Sequence, residues 1–426
     1  MNAMVPIIDF QEVFRNADAD IGWGFWTERK RTDNTAEEVV RPIIDAVRRE
    51  KDEALIRYAK QFDGLGELPL RVSEGELASA AAGLTPEMRS AAEAAIANIR
   101  EFAQRQLPHE CFEEFSPGRK LGWIIRPLSA VGCYVPSGRY PLPSTLLMTA
   151  VLAQTASVPR ICVTSPRPSR EILGCAHLLG IQEVYRVGGA QAIAAMTFGT
   201  QTIPQVDRIV GPGNAYVAAA KKLLAGEVGI DFVAGPTEIM ILAAEGNPKI
   251  IAADMLAQAE HDTMASATLV TTSRALADAV RIELERQLET LPTREVAQQA
   301  IDNGSAIWVV PNMEFAVELS NFCAPEHLSL HDPALLPLIK NAGTVFLGQN
   351  SPESAGDYAA GPSHVLPTGG AARLRGGLST ADFVKVIAIQ ELSPSALQEL
   401  APAITTLARA EGLEAHARAV EVRSVS

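Results

Sequence analysis

The chain has 426 residues, 47% hydrophobic and 20% charged, with a formal net charge of -13. That length exceeds one ordinary core and predicts two to three domains of roughly 150 residues. The acidic balance argues against nucleic acid as the main partner, since a phosphate-binding surface wants clustered Lys and Arg and the longest basic run is Arg29-Lys30-Arg31.

The five cysteines (Cys111, Cys133, Cys162, Cys175, Cys323) are odd in number, scattered and free of any Cys-x-x-Cys, so buried thiols in a reducing cytoplasm are the expectation. The N-terminus lacks a basic region leading into an apolar core, and no apolar stretch approaches the roughly 18 residues that span a bilayer. A cytoplasmic address and a small-molecule substrate follow as expectations.

In chain order, residues 1–27 read as an arm ending in Trp23-Gly-Phe-Trp26, which packs on the body or on a second copy because paired exposed tryptophans are costly. From Thr35 to Phe62 apolar residues recur at helical spacing (Val39, Val40, Ile43, Ile44, Val47, Leu55, Ile56), and residues 86–106 repeat the pattern. This first hundred reads as helical scaffold without chemistry.

After Pro127 short apolar runs alternate with helical segments. Strands are predicted at 130–135, 160–164, 183–187 and 208–210, with helices at 145–156, 170–179, 190–198 and 215–224. A second series runs through strands at 238–243, 268–271, 306–310 and 344–347, with helices at 250–260, 275–288 and 313–322. Buried Val/Ile strands separated by helices predict two tandem parallel, doubly wound α/β layers. Residues from about Asp382 onward read as wholly helical.

In such sheets ligands bind beyond the carboxyl ends of the strands. Three loops there carry glycine: Tyr134-Val-Pro-Ser-Gly-Arg139, Gly188-Gly-Ala-Gln191 and Gly211-Pro-Gly-Asn214. Each offers backbone amides at or near a helix N-terminus, a good place for a phosphate. Any one of them alone is an ordinary tight turn. Together they point to a nucleotide or phosphate, although no Gly-x-Gly-x-x-Gly fingerprint is present.

Metal-ligand types occur in Gln258-Ala-Glu-His261-Asp262, where positions three apart share a helix face, in Gly356-Asp357, and in Glu411-Gly-Leu-Glu-Ala-His416. Imidazole, carboxylate and amide oxygen together suit Zn²⁺ or a similar divalent ion. Spacing alone leaves open whether they meet or are solvated polar groups. The remaining pair, Glu326-His327, follows Pro325 at a turn into a strand, so the two side chains are expected on opposite sides of extended backbone. A histidine near its ordinary pKa takes a proton at neutral pH, and a neighbouring carboxylate can orient it or act on a water.

From about Val131 to Arg423 the chain resembles the histidinol dehydrogenase family. The resemblance rests on Val187-Gly-Gly-Ala-Gln-Ala-Ile-Ala, Ile209-Val-Gly-Pro-Gly-Asn, Gly229-Ile-Asp-Phe-Val-Ala-Gly-Pro, Gln258-Ala-Glu-His-Asp, Ala324-Pro-Glu-His-Leu, Gly356-Asp-Tyr-Ala-Ala-Gly-Pro, His364-Val-Leu-Pro-Thr and Glu411-Gly-Leu-Glu-Ala-His-Ala.

That resemblance implies Glu326 and His327 as the acid–base pair and Gln258, His261, Asp357 and His416 as ligands of one Zn²⁺, His416 coming from the partner of a homodimer. It implies Tyr134, Gln191 and Asn214 as NAD contacts, and Thr237, Gln258, His261, His327, Asp357, Glu411 and His416 as substrate contacts. The implied reaction oxidises L-histidinol through L-histidinal to L-histidine, ending histidine biosynthesis. The implied fold is two Rossmann-like domains: residues 28–130 with 239–381 carrying catalytic and metal residues, and 131–238 binding NAD. An arm (1–27) precedes them, and a helical tail (382–426) exchanged between subunits follows. Three positions depart from the pattern: Thr237 replaces Ser, Ser363 replaces Asn, and Arg375-Gly-Gly377 stands where small Ser or Pro residues are usual. They leave a paralogue acting on another small amino or sulfonated alcohol as the alternative.

Overall fold

The structure is a computed structural model that describes residues 5–10, 35–137 and 140–424. The Trp23–Trp26 tip of the expected arm lies outside the described residues, as do Gly138 and Arg139 of the first glycine loop.

The chain begins with β1 (Ile7–Asp9), followed by α1 (Thr35–Glu50), α2 (Asp52–Phe62), α3 (Glu74–Ala82) and α4 (Pro86–Gln106). Ser73 and Glu76 close a capping box on α3, and the Thr85 hydroxyl caps α4 just before Pro86. A hairpin of β2 (Cys111–Ser116) and β3 (Arg119–Pro127) comes next. The first series is β4 (Val131–Tyr134), α5 (Pro143–Thr155), β5 (Ile161–Thr164), α6 (Arg170–Leu178), β6 (Val184–Tyr185), α7 (Gly189–Phe198), β7 (Arg208–Val210), α8 (Ala215–Leu224) and β8 (Gly229–Ile230).

The second series is β9 (Glu238–Leu242), α9 (Pro248–Ala259), β10 (Ser266–Thr271), α10 (Arg274–Leu288), α11 (Arg294–Gly304), β11 (Ala306–Val309), α12 (Met313–Cys323), β12 (His327–Leu330), β13 (Thr344–Leu347) and α13 (Glu353–Tyr358). The chain finishes with β14 (Val384–Leu392), α14 (Pro394–Ala410) and α15 (Glu414–Ser424).

Both expected sheets form. One has the order β6-β5-β4-β7-β8 and the other β1-β11-β10-β9-β12-β13, with every neighbour parallel. In each series the first strand is internal and the order reverses beside it, which is the doubly wound arrangement with its switch point. The internal strands are buried on both faces, so they read as continuous apolar runs such as Ile239-Met-Ile-Leu242. No helix among the described residues is long and apolar enough to cross a membrane.

Three expectations need correction. The segment after Asp382 is not wholly helical: β14 pairs antiparallel with β3 along its whole length, from Val384 opposite Pro127 to Leu392 opposite Arg119, and completes a third sheet, β14-β3-β2. A strand whose partner lies some 260 residues upstream leaves no local sign of its pairing.

Next, the helices of residues 35–106 do not belong with the second sheet. Val40, Ile44, Val47 and Leu55 share a core with Tyr134, Val187 and Ile193, while Leu77, Ile96 and Ile99 share one with Val131, Val151 and Val184. Val365, Leu378 and Phe383 join the latter core, so the expected boundary at residue 381 also cuts through packed structure. Finally, β1 is an edge strand of the second sheet, bonded to β11, rather than part of a helical arm. The linker 231–237 joins the two sheets.

Candidate active site

The turn before β12 brings the acid and the imidazole together. Helix α12 stops at Cys323 because Ala324 adopts left-handed backbone (φ 51, ψ 62) and Pro325 cannot extend it. Glu326 lies in the bend rather than in the strand, so strand alternation does not apply to it. Its Oε2 is 3.6 Å from His327 Nδ1, which corrects the expectation of opposite sides. The Thr237 hydroxyl (2.6 Å) and the Glu238 N–H (2.9 Å) both reach that same oxygen.

The tautomer of His327 follows from its partner. Nδ1 lies 3.1 Å from the Glu238 carbonyl, which can only accept, so Nδ1 carries the hydrogen and Nε2 keeps its lone pair. Nε2 is buried with no hydrogen-bond partner among the described residues, 4.0 Å from Asp357 Oδ1. Burial pushes the His327 pKa down to about 4, so the ring is neutral at physiological pH and its approaches to Glu326 and Glu353 are not ion pairs. Burial drives Glu326 the other way, well above the ordinary carboxylate range, against the opposing pull of Thr237 and the Glu238 N–H.

These residues stand at the amino ends of β9 and β12. Looking beyond the carboxyl ends therefore finds the glycine loops of the first sheet and misses this edge of the second.

Gln258 ends α9 fully buried, and His261 follows in the next turn. His261 Nδ1 faces the Ala257 carbonyl at 2.9 Å, which leaves Nε2 as the open nitrogen, 3.7 Å from Asp357 Oδ2. In the orientation that satisfies its neighbours, the Gln258 amide turns its nitrogen to the Glu353 carboxylate. Its oxygen then faces Thr237 Oγ1 (2.7 Å) and the Glu238 N–H (3.2 Å).

Glu353 is buried, and its pKa is raised by burial first and then by the negative charges of Asp357, Glu326 and Asp254. The sequence reading passed over this residue. Its signal was spacing, since Glu353 precedes Asp357 by one turn of α13 and so shares its face. His364 was quoted there only as part of a motif. It holds the α13 segment by donating from Nδ1 to the Asp357 carbonyl (2.8 Å), with the Thr145 hydroxyl 3.2 Å from Nε2.

Ligand atoms of His327, Glu353 and Asp357 lie within 4.8 Å of one another. The open imidazole nitrogen of His261 with the carboxylate oxygens of Asp357 and Glu353 makes up a nitrogen–oxygen donor set that fits a divalent ion such as Zn²⁺. His261 and Asp357 are on hand for the ion, whereas the Gln258 oxygen is turned to Thr237 and the Glu238 N–H. Glu411 and His416 are not on hand: they are exposed beside α15, and no hydrogen bond among the described residues ties them to the cluster of the same chain.

At the first sheet the three candidate nucleotide residues lie along the carboxyl edge. The Tyr134 hydroxyl accepts the Gly189 N–H (3.2 Å), and Gly211, at φ +115, passes so close to β4 that a Cβ there would sit 2.2 Å from the Tyr134 carbonyl oxygen. Asn214 caps α8, its side-chain oxygen accepting from Tyr216 and Val217 at 3.1 Å each. Gln191 donates to Asp63 Oδ2 at 3.0 Å, and the Gly188 N–H donates to the same oxygen at 3.0 Å. Asp63, at the end of α2, lies in the stretch read as scaffold without chemistry. A helix-terminal acid has no local mark that separates a loop support from a solvated cap.

Open glycine loops at one switch point, and a buried neutral imidazole flanked by carboxylates at the edge of a second doubly wound sheet, are the equipment of an α/β dehydrogenase. The comparisons narrow this class. The family model for histidinol dehydrogenase matches residues 27–424. The chain is 47% identical over 399 residues to the histidinol dehydrogenase of Bacillus cereus, covering 92% of this chain and 93% of that one. It is 48% identical over 398 residues to that of Thermus thermophilus, covering 92% and 95%. The crystal structure of histidinol dehydrogenase from Elizabethkingia anophelis superposes with a TM-score of 0.91 at 36% identity, covering 99% of each chain. The chain belongs to the histidinol dehydrogenase family, NAD-dependent oxidoreductases of histidine biosynthesis.

Proposed function

We propose that this protein oxidises L-histidinol to L-histidine in two steps through L-histidinal, using NAD⁺ and one Zn²⁺ held by Gln258, His261, Asp357 and the His416 of a partner subunit. The observation that carries the reading is His327 Nε2, a buried lone pair with no hydrogen-bond partner among the described residues, next to a carboxylate that is separately held.

Bound NAD⁺ supplies a hydride acceptor, and bound Zn²⁺ a template that fixes the substrate's imidazole and amine. The chain's own residues then divide the proton work. His327 Nε2 takes the proton of the alcohol, while the Glu238 carbonyl on Nδ1 holds the ring in the accepting tautomer. Glu326 removes a proton from the water that adds to the aldehyde, its raised pKa bringing it closer to neutrality, where a general base works best. His327 serves again for the resulting diol. Tyr134, Gln191 and Asn214 line the nucleotide site, and Thr237, Gln258, His261, His327, Asp357, Glu411 and His416 contact the substrate. Thr237 keeps the hydroxyl of the Ser it replaces, which favours the same substrate over a different alcohol.

A homodimer with an exchanged tail accounts for the exposed position of His416 and for the bare apolar side chains Leu407, Leu413 and Val422 beside it. The five free cysteines, four of them buried, fit a reducing cytoplasm. The test is a purified-protein assay with L-histidinol, with and without chelator, counting NADH per histidine released. Two NADH per histidine, lost on chelation, is expected. One would refute the double oxidation, and no turnover of histidinol alongside turnover of another amino alcohol would refute the substrate.

A further inference from the structure

Arg375 is a departure from the family pattern, and the reaction leaves it without a task. It sits on the segment that runs from α13 back into the core of the first sheet. One guanidinium nitrogen donates to the Asp231 carbonyl (2.8 Å) and another to Asp382 Oδ1 (2.7 Å), with the group 5.4 Å from the centre of the Phe232 ring. Asp382 is itself held by Arg208 (3.2 Å) and by the Ser379 N–H (2.9 Å).

The other end of Asp231 grips the loop after β7. Its Oδ2 accepts the Gly211 N–H (2.8 Å), and its Oδ1 accepts Lys221 Nζ (2.7 Å) and the Phe232 N–H (2.7 Å). Lys221 Nζ also donates to the Gly211 carbonyl (2.5 Å), so a buried ion pair holds both polar groups of that glycine. Two further bonds tie the same segment to the linker and to the start of β9: the Gly235 N–H to the Thr368 hydroxyl, and the Gly369 N–H to Glu238 Oε1 at 3.1 Å.

A buried charge pair is a poor stabiliser compared with apolar packing, because desolvation consumes its attraction; what it can do is fix a geometry. We propose that Arg375, through Asp231 and Lys221, is a positioning residue that holds the Gly211–Asn214 loop in its nucleotide-binding shape and couples that shape to the segment carrying Asp357. The proposal rests on the reading of this loop as part of the NAD⁺ site. Neither Arg375 nor Lys221 touches the reacting atoms; they act through Gly211.

The experiment measures the NAD⁺ dissociation constant without histidinol, by fluorescence quenching, together with steady-state kinetics and metal content, in four proteins: wild type, R375A, R375K and D382N. R375A is expected to weaken NAD⁺ binding by roughly tenfold, the scale of one charge-assisted hydrogen bond. Its kcat, its KM for L-histidinol and its zinc content should stay within about twofold of wild type on the same argument that Arg375 touches neither substrate nor metal. R375K, with one donor group in place of a fork, is expected in between, and D382N, which frees the other end, should shift in the same direction.

N214D separates the two readings: it keeps the cap but places a negative charge beside the phosphates, so it must weaken NAD⁺ binding if the loop is the nucleotide site. An unchanged constant in N214D overturns the loop assignment and this proposal with it. An unchanged constant in R375A and D382N alongside a weakened N214D overturns the positioning role alone. Should R375A fail to fold, R375K and D382N decide the matter by the same comparison.

Discussion

Glu326 and His327 share one buried spot, and burial acts on them in opposite directions: it takes the charge off the imidazole and also off the carboxylate. The result is an imidazole held in its neutral form, with its Nε2 lone pair free, beside a carboxylate whose affinity for a proton is increased. If the roles divide as proposed, Glu326→Gln keeps its contacts to Thr237 and the Glu238 N–H but cannot activate water. Single-turnover measurement should then show the first oxidation nearly intact and aldehyde turnover slowed by roughly 10²-fold; equal slowing of both steps would refute the division.

His327 also sets a stability window. Its folded pKa, about 4, lies below its ordinary value of 6.5, so between the two the unfolded chain takes up a proton that the folded one refuses. The stabilisation is complete above about pH 6.5 and is lost as pH falls towards 4, with an upper bound on the order of 3 kcal/mol. Thermal melts of metal-free wild type and His327→Asn from pH 4 to 8 should therefore differ more in their pH slope than in their form. Parallel slopes would show that the ring titrates in the folded state.

At the scale of the element, the loop after β7 shows why a glycine cannot be exchanged. Gly211 combines φ +115 with an approach to β4 that leaves no room for a side chain. Gly211→Ala must therefore strain the backbone and push β4 and β7 apart. A loss of roughly 2 kcal/mol or more in denaturant unfolding is expected, with weakened NAD⁺ binding in whatever remains folded. A stability loss below about 0.5 kcal/mol, the ordinary surface range, would mean that the loop relaxes freely. The turn at Ala324-Pro325 follows a similar logic, since left-handed backbone on a non-glycine residue ends α12 so that Glu326 and His327 can converge.

On the scale of the whole molecule, the proposed site is incomplete in one chain. Helices α14 and α15 pack on each other and α14 rests on β14, with His416 exposed on α15. If the tail is exchanged, a mixed dimer of His416→Ala and Asp357→Ala subunits holds one doubly damaged site and one intact site. Refolding equal amounts of the two inactive variants together makes about half of the dimers mixed and should then restore activity towards about a quarter of the wild-type sites. No recovery on mixing would keep the tail on its own body and require another fourth ligand.

The sequence by itself determined the two doubly wound layers, because alternation of buried β-branched strands with helices is a local pattern. It also marked the three glycine loops and, through motif resemblance, the proposed acid–base pair and metal donors. Tertiary structure alone decided where those pieces meet. Asp63 carries no local signature, and the spacing of Glu353 or the presence of Arg375 does not show their roles, because a buried acid or a bridging guanidinium is defined by partners on other elements, such as Gln258, Gln191 and Asp231. Strand β14 and the home of the first helices were equally hidden, since sheet pairing and core sharing join residues hundreds of positions apart, and chain-local periodicity holds no record of such contacts.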